Sequence, residues 1–259
     1  MEARRLCLTL TYDGTHLHGW QAQPGQPTVQ GLLMQACGRV LGEAVKVTGA
    51  SRTDAGVHAL GQVASLVTSA TLSCQGLQRA LNAVLPPAIR VMEASDAPPG
   101  FDARRSARGK RYAYLIERSP VADPFLLRFA WHVPRPLDID AMREALGAIR
   151  GKRDFSAFCA APGRGRTPVC AVASARLVTR RSRLGVLLSA DSFLHHMVRN
   201  IVGSLVEVGR GARPPGWIGE VVDGRDRKRA GPTAPAQGLV LVRVLYGSEA
   251  AAGGRAPQP

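Results

Sequence analysis

Ser51-Arg52-Thr53-Asp54-Ala55-Gly56-Val57-His58-Ala59-Leu60-Gly61-Gln62-Val63 is a polar turn that runs directly into a strand. Ala55-Gly56 supplies the bend, because glycine reaches backbone conformations closed to other residues. Gln62 to Thr68 predicts a strand on the far side of the turn, and Ala44 to Ala50 predicts one on the near side. Upstream, Leu6-Cys7-Leu8-Thr9-Leu10-Thr11-Tyr12 alternates like a strand and stops at Asp13-Gly14. Thr28 caps a helix predicted from Val29 to about Gly42, with apolar positions at Val29, Leu32 or Leu33, Ala36, Val40 and Leu41. A helix from about Ser73 to Val84 ends at Pro86-Pro87, and Ile89 to Ala94 makes a fourth strand. The order is β–α–β–β–α–β.

Pro98-Pro99-Gly100 and the basic run to Lys110 mark a joint. Beyond it the pattern predicts strand Arg111–Glu117, helix Asp138–Ile149, strands around Val169–Thr179 and Leu184–Ala190, a long helix Phe193–Gly209 and a last strand Gly238–Tyr246. This layout predicts an α+β fold of two similar half-domains, 1–105 and 106–247, with a basic cleft between them. No residue-level repeat relates the halves. The tail 248–259, rich in Ala, Gly and Pro, predicts disorder.

Charge narrows the function. The 259 residues hold 34 Lys and Arg against 19 Asp and Glu, a formal net charge of +15. The cations recur in clusters: Arg104, Arg105, Arg108, Lys110 and Arg111; Arg150, Lys152 and Arg153; Arg164 and Arg166; Arg180, Arg181 and Arg183; Arg225, Arg227, Lys228 and Arg229. Any one cluster reads as a solvated face, whereas the set points to phosphate contact. Cys7, Cys37, Cys74, Cys159 and Cys170 are odd in number, scattered and without a CxxC, which argues against disulfides and a zinc knuckle. The amino terminus lacks the apolar stretch of a signal peptide, and no run approaches the ~18 apolar residues of a membrane span. A reduced, cytoplasmic enzyme without a membrane segment is the expectation.

Asp54 is the first candidate for chemistry. Arg52 nearby favours its ionised form, and a ready carboxylate in a basic cleft can act as a nucleophile. An Asx-turn between two strands accounts for the same pattern. His58 follows four residues later, but Gly56 disfavours the helical pairing an Asp–His dyad would use. In the predicted helix, Arg199 falls between apolar positions and needs a partner, for which Asp54 is a candidate; otherwise it snorkels to water. His195 and His196 would diverge by about 100° on a helix, a poor arrangement for one metal. Tyr112 and Tyr114 share a strand face directly after the densest basic run, suited either to a core or to stacking on a displaced base. P-loop, GxGxxG and GxSxG patterns are missing, which argues against nucleotide-driven and serine-hydrolase readings.

Taken in order, these residues resemble the bacterial tRNA pseudouridine synthase A family. Tyr12-Asp13-Gly14, Gly19-Trp20-Gln21-Ala22-Gln23 and Thr28-Val29-Gln30 resemble its opening, and Arg52 to Ala59 its catalytic loop. Phe101-Asp102-Ala103-Arg104, Lys110 to Tyr114, Asp154 to Phe158, Arg166-Thr167, Phe193 to Gly203 and Gly238-Leu239 follow in family order. The resemblance implies a continuous mixed or antiparallel sheet flanked by helices. It implies Asp54 as nucleophile, Tyr112 packed on the target uracil, Arg199 paired with the Asp54 carboxylate, Arg52 holding the displaced nucleotide, and Leu239 lining the pocket. It also implies a homodimer, free of metal and cofactor, that converts uridine to pseudouridine at positions 38 to 40 in the tRNA anticodon stem-loop. The chain departs from the family pattern in three places: Ser51 for a usual glycine, Leu17 for a common aromatic, and the pair Cys170-Ala171 where a basic residue is frequent. Ser51 is expected to cost freedom at positive φ and to adjust the loop.

Two rival readings remain at this level. One is a silent RNA-binding protein of the same fold. The other is a metal-dependent hydrolase built on Asp54, His58, His195 and His196.

Overall fold

The computed structural model describes residues 3–160 and 167–247. The expected tail and the Arg164–Arg166 cluster lie outside them. The described residues form an α+β fold in two compact units, one running to Ala107 and joined by Val240–Tyr246, the other covering Arg108–Leu239.

In the first unit β1 (Arg4–Tyr12), α1 (Val29–Leu41), β2 (Thr48–Gly49), β3 (His58–Thr68), α2 (Cys74–Val84) and β4 (Ile89–Asp96) follow in sequence. The alternation in β1 puts Leu6, Leu8, Leu10 and Tyr12 in the core, each at most 2% exposed. Both neighbours of β1, β3 and β4, pair antiparallel to it. The Thr28 hydroxyl accepts the Gly31 N–H at the start of α1, and Gly42 ends the helix at φ +71. Both ends of α1 thus follow from capping chemistry.

The second unit contains β5 (Ala107–Glu117), β6 (Trp131–His132), α3 (Ile139–Gly147), β7 (Gly151–Asp154), β8 (Val169–Arg180), β9 (Arg183–Ala190), α4 (Met197–Gly209) and α5 (Trp217–Gly224). Its sheet runs β5-β9-β8-β7 with antiparallel pairing between neighbours, and β6 lies parallel on β5. β10 (Leu239–Tyr246) then returns to the first unit and pairs parallel with β3 through Val240–His58 and Leu241–Ala59. The sequence division at 105/106 leaves this strand in the second half; in the structure 240–246 groups with the first unit.

That return explains one difference from the sequence reading. β3 begins at His58 rather than Gln62, because its first residues find a partner in β10. The parallel strands pass so close that a Cβ on Gly61 would lie 2.6 Å from the Val242 carbonyl oxygen. The strand expected over Ala44–Ala50 shrinks to Thr48–Gly49. β7, β6 and α5 were not anticipated. β7 carries Lys152 and Arg153 on a sheet edge, where charge discourages strand addition.

Glu43 ties the end of α1 to the end of β3. The Thr68 hydroxyl, the Ser69 N–H (2.8 Å) and the Ser69 hydroxyl (3.0 Å) all donate to its carboxylate. Those bonds, Thr68 first, hold the Glu43 carboxyl below the ordinary value. A lowered folded value means the stabilisation is complete above the ordinary carboxylate range and is lost as pH falls through the folded value. Glu43→Gln is therefore expected to melt below the wild type at neutral pH, with the gap closing in acid. Melting curves across pH check this; a gap independent of pH would contradict it.

Candidate active site

Asp54 sits half-buried on a four-residue turn closed by the Val57 N–H to the Asp54 carbonyl (3.2 Å), with Gly56 at φ +77. The loop from Asp13 to Trp20 packs on this turn and fixes its main chain. Trp20 N–H donates to the Thr53 carbonyl (3.0 Å), and Gly56 N–H donates to the Leu17 carbonyl (3.3 Å). The Thr53 hydroxyl lies 2.8 Å from the buried Tyr12 hydroxyl. Close approach demands glycine at two places. A Cβ on Gly14 would meet the Val57 carbonyl oxygen at 2.1 Å, and one on Gly19 (φ +79) would meet the Thr53 oxygen at 2.5 Å.

Beneath the turn, the fully buried Gln62 acts as a clamp. Its amide accepts from the Ser51 N–H (3.2 Å) and the Val63 N–H (3.1 Å) and donates to the Ser51 carbonyl (2.7 Å). Leaving such groups unsatisfied costs about 1–3 kcal/mol each, so Gln62 holds the strand-to-turn exit firmly. The sequence reading gave Gln62 no role. Its signal was a polar amide inside an otherwise buried strand.

Arg52 is exposed beside the turn. His58 Nδ1 accepts the Gly14 N–H at 3.0 Å and lies 3.3 Å from Asp13 Oδ1, which ties that ring nitrogen to the supporting loop. Ser51 needs no adjustment: it is not among the described non-glycine residues with positive φ. Leu17 is 6% exposed and packs under the turn, so its side chain belongs to the core. Cys170 is buried as well and receives the Ser192 hydroxyl at 3.3 Å. The five cysteines lie outside any disulfide.

The second unit presents Tyr112 and Tyr114 on one face of β5, as the alternation requires. Tyr112 meets Phe193 edge-on, with ring centroids 5.0 Å apart. Tyr114 donates to the Pro235 carbonyl (2.7 Å), and burial pushes its hydroxyl well above the ordinary value against the opposing influence of Arg199. The Tyr114 ring leaves no room for a Cβ at Gly238, 2.5 Å away, and so sets the approach of Leu239 at the head of β10. Leu239 is 6% exposed.

The helix expected over Phe193–Gly209 starts instead at Met197. His196 adopts φ +60, and the His195 carbonyl accepts the Ala160 N–H (3.1 Å), which takes the chain out of helix geometry. Phe193, His195 and His196 therefore stand on a loop ahead of the helix. The two imidazoles lie with centroids 3.9 Å apart rather than diverging by a helical step. Apolar periodicity could not show this, because the Ala160 contact is distant in sequence.

Arg199 falls in the first turn of α4, where no acidic residue offsets the positive end of the helix dipole. A cation there opposes the dipole by about 0.3–1 kcal/mol. Arg199 Nε donates to the Ala234 carbonyl (2.8 Å), and the Ala234 N–H returns a bond to the Arg199 carbonyl (3.1 Å). The segment carrying Ala234 is strapped to α4 by Arg227, whose guanidinium reaches Asn200 Oδ1 (3.0 Å), Thr233 Oγ1 (3.1 Å) and the Gly231 carbonyl (3.0 Å). One member of the last basic cluster is thus internal structure and not a phosphate contact. The net arrangement is a half-buried cation beside a positive helix end, a place that favours an anion.

Asp54 and Arg52 are brought together in one unit, and Tyr112, Arg199 and Leu239 in the other. A family model described as tRNA pseudouridine synthase matches residues 9–104 and 145–247. The first span holds Arg52 and Asp54, the second Arg199 and Leu239, and Tyr112 falls between them. The chain is 44% identical over 243 residues to tRNA pseudouridine synthase A of Myxococcus xanthus, covering 93% of this chain and 92% of that one. Against the Syntrophotalea carbinolica protein of the same name the identity is 45%, covering 92% and 95%. A Geobacillus relative, also so named, is 42% identical with coverages of 94% and 99%.

Proposed function

Since this chain belongs to the tRNA pseudouridine synthase family, we propose that it isomerises uridine to pseudouridine in tRNA, in the anticodon stem-loop. The observation that carries this reading is Asp54, a carboxylate on a turn whose main chain is fixed from below, in a chain of net charge +15. A silent RNA-binding protein has no need of that construction. The family resemblance also supports a cytoplasmic homodimer, a state that sedimentation reads directly.

A uracil stacked in a stem is out of reach and must be flipped out, at a cost of about a few kcal/mol. Arg52, exposed next to the turn, holds the displaced nucleotide through its phosphate. Tyr112 gives the uracil a face to pack against, and Leu239 closes the pocket. The reaction breaks N1–C1′, turns the freed ring and joins C5 to C1′. The proton leaves C5, and N1 ends protonated. No oxidant or added group is consumed.

Two routes use the Asp54 carboxylate. Attack on C1′ gives a covalent sugar ester, whereas removal of the C2′ proton gives a glycal. Either needs the carboxylate in its ionised form. Deuterium at C2′ separates them, since only the second route breaks that bond.

The reading is tested with an unmodified tRNA transcript tritiated at uracil C5, incubated without added metal or nucleotide. Release of tritium, with pseudouridine mapped to the anticodon stem-loop, is expected. Tight RNA binding without release would overturn the reading in favour of a binding protein.

A further inference from the structure

The second unit carries a surface that the roles above leave unused. Its loop from Ser119 to Ala130 is held from below by the buried Glu117. The Glu117 carboxylate accepts the Ser119 hydroxyl and the Asp123 N–H (3.1 Å), and Asp123 in turn accepts the Phe125 N–H (2.9 Å). His132 Nε2 lies 2.8 Å from the Ser119 carbonyl oxygen. On this fixed loop Val121 is 82% and Phe125 86% exposed. A ring held out in water on a hydrogen-bonded loop adds nothing to the core.

The surroundings of the loop are cationic. Arg118 N–H donates to the Ser182 carbonyl (2.8 Å) and its guanidinium to the Arg181 carbonyl (3.0 Å), joining the loop to the β8–β9 turn. Arg180, Arg181 and Arg183 are exposed there, and Arg183 stands opposite both Glu117 and Arg180 in the sheet. Arg181 adopts φ +53 at the first central position of a two-residue hairpin turn, a place that suits glycine. Glu117 and Asp123 carry two negative charges here against the four positive charges of Arg118, Arg180, Arg181 and Arg183, so the net local charge is positive.

We propose that this patch is a second RNA-contact surface, where Arg180, Arg181 and Arg183 meet phosphates and Phe125 stacks on an unpaired base of the tRNA being modified. The inference rests on the tRNA reading above. Exposed aromatic surface set among arginines is the chemistry of unpaired nucleic acid. A second copy of this chain docked here about a two-fold axis would set these same arginines against one another.

The test compares wild type, Phe125→Ala and the double variant Arg180→Gln, Arg183→Gln, all exposed positions, on a full tRNA transcript at several salt concentrations. Binding, sedimentation and melting are followed in parallel. The expected result is a KM about tenfold higher in each variant, with kcat at saturation and melting unchanged. The log–log salt slope of binding should fall by about one for each arginine removed. Unchanged KM and slope overturn the proposal, as does a change of oligomeric state without a change in RNA affinity. If the wild type binds tRNA but makes no pseudouridine, the activity reading fails. The surface then stands or falls on whether the variants lose affinity and slope.

Discussion

Asp54→Ala is expected to stop pseudouridine formation while sparing both the fold and RNA binding. The turn is held by the Thr53, Gly56 and Val57 main chain and by Gln62 below it, so truncation removes the carboxylate and leaves the loop. Loss of a nucleophile or essential base costs on the order of 10^4-fold or more in kcat. Tritium release measures the activity, while melting and filter binding report the fold and the affinity. Activity within tenfold of wild type would place the reacting group elsewhere. Asp54→Asn keeps the shape without the charge, and should be as inactive as the alanine variant.

Gly19→Ala is expected to have the next largest effect, although residue 19 carries no reacting group. Its φ of +79 strains any side chain, and the new Cβ would sit 2.5 Å from the Thr53 oxygen and 3.0 Å from the Asp54 carbonyl carbon. Both are backbone atoms, so the turn must move. Positive φ at a non-glycine residue costs about 1 kcal/mol or more. Displacing a reacting group by about 1 Å costs roughly 100-fold in rate. The variant should therefore lose about two orders of magnitude in kcat, with a modest drop in melting temperature and tRNA affinity retained. Gly25→Ala is the control, because its φ is +69 but nothing lies within 4 Å of the added Cβ. If the two variants match in kcat, strain alone and not the turn contact sets the effect.

Local chemistry was readable directly from the chain. Thr28 and Gly42 bracket α1 as expected, and the helices expected from Ser73 and Asp138 start one residue later because those two residues cap them, since caps and turns depend on neighbours in sequence. The β1 core followed from strict alternation. The Asp54 turn was legible for the same reason, with Gly56 at its bend.

Tertiary contacts decided the remainder. The start of β3 at His58 depends on β10, about 180 residues later, and no local pattern records that pairing. The start of α4 at Met197 depends on Ala160 taking the His195 carbonyl. Arg227 read as part of a phosphate-binding cluster, yet its guanidinium is spent on Asn200, Thr233 and Gly231. Composition can count cations, but only packing tells which of them face water. The sequence by itself determined α1, α2 and α3 and the turn that carries Asp54, all fixed by hydrogen bonds over a few residues. The tertiary structure alone decided how Gln62, Gly14 and Gly19 clamp that turn and how the Arg227 strap seats Arg199, since buried polar groups find their partners across the fold.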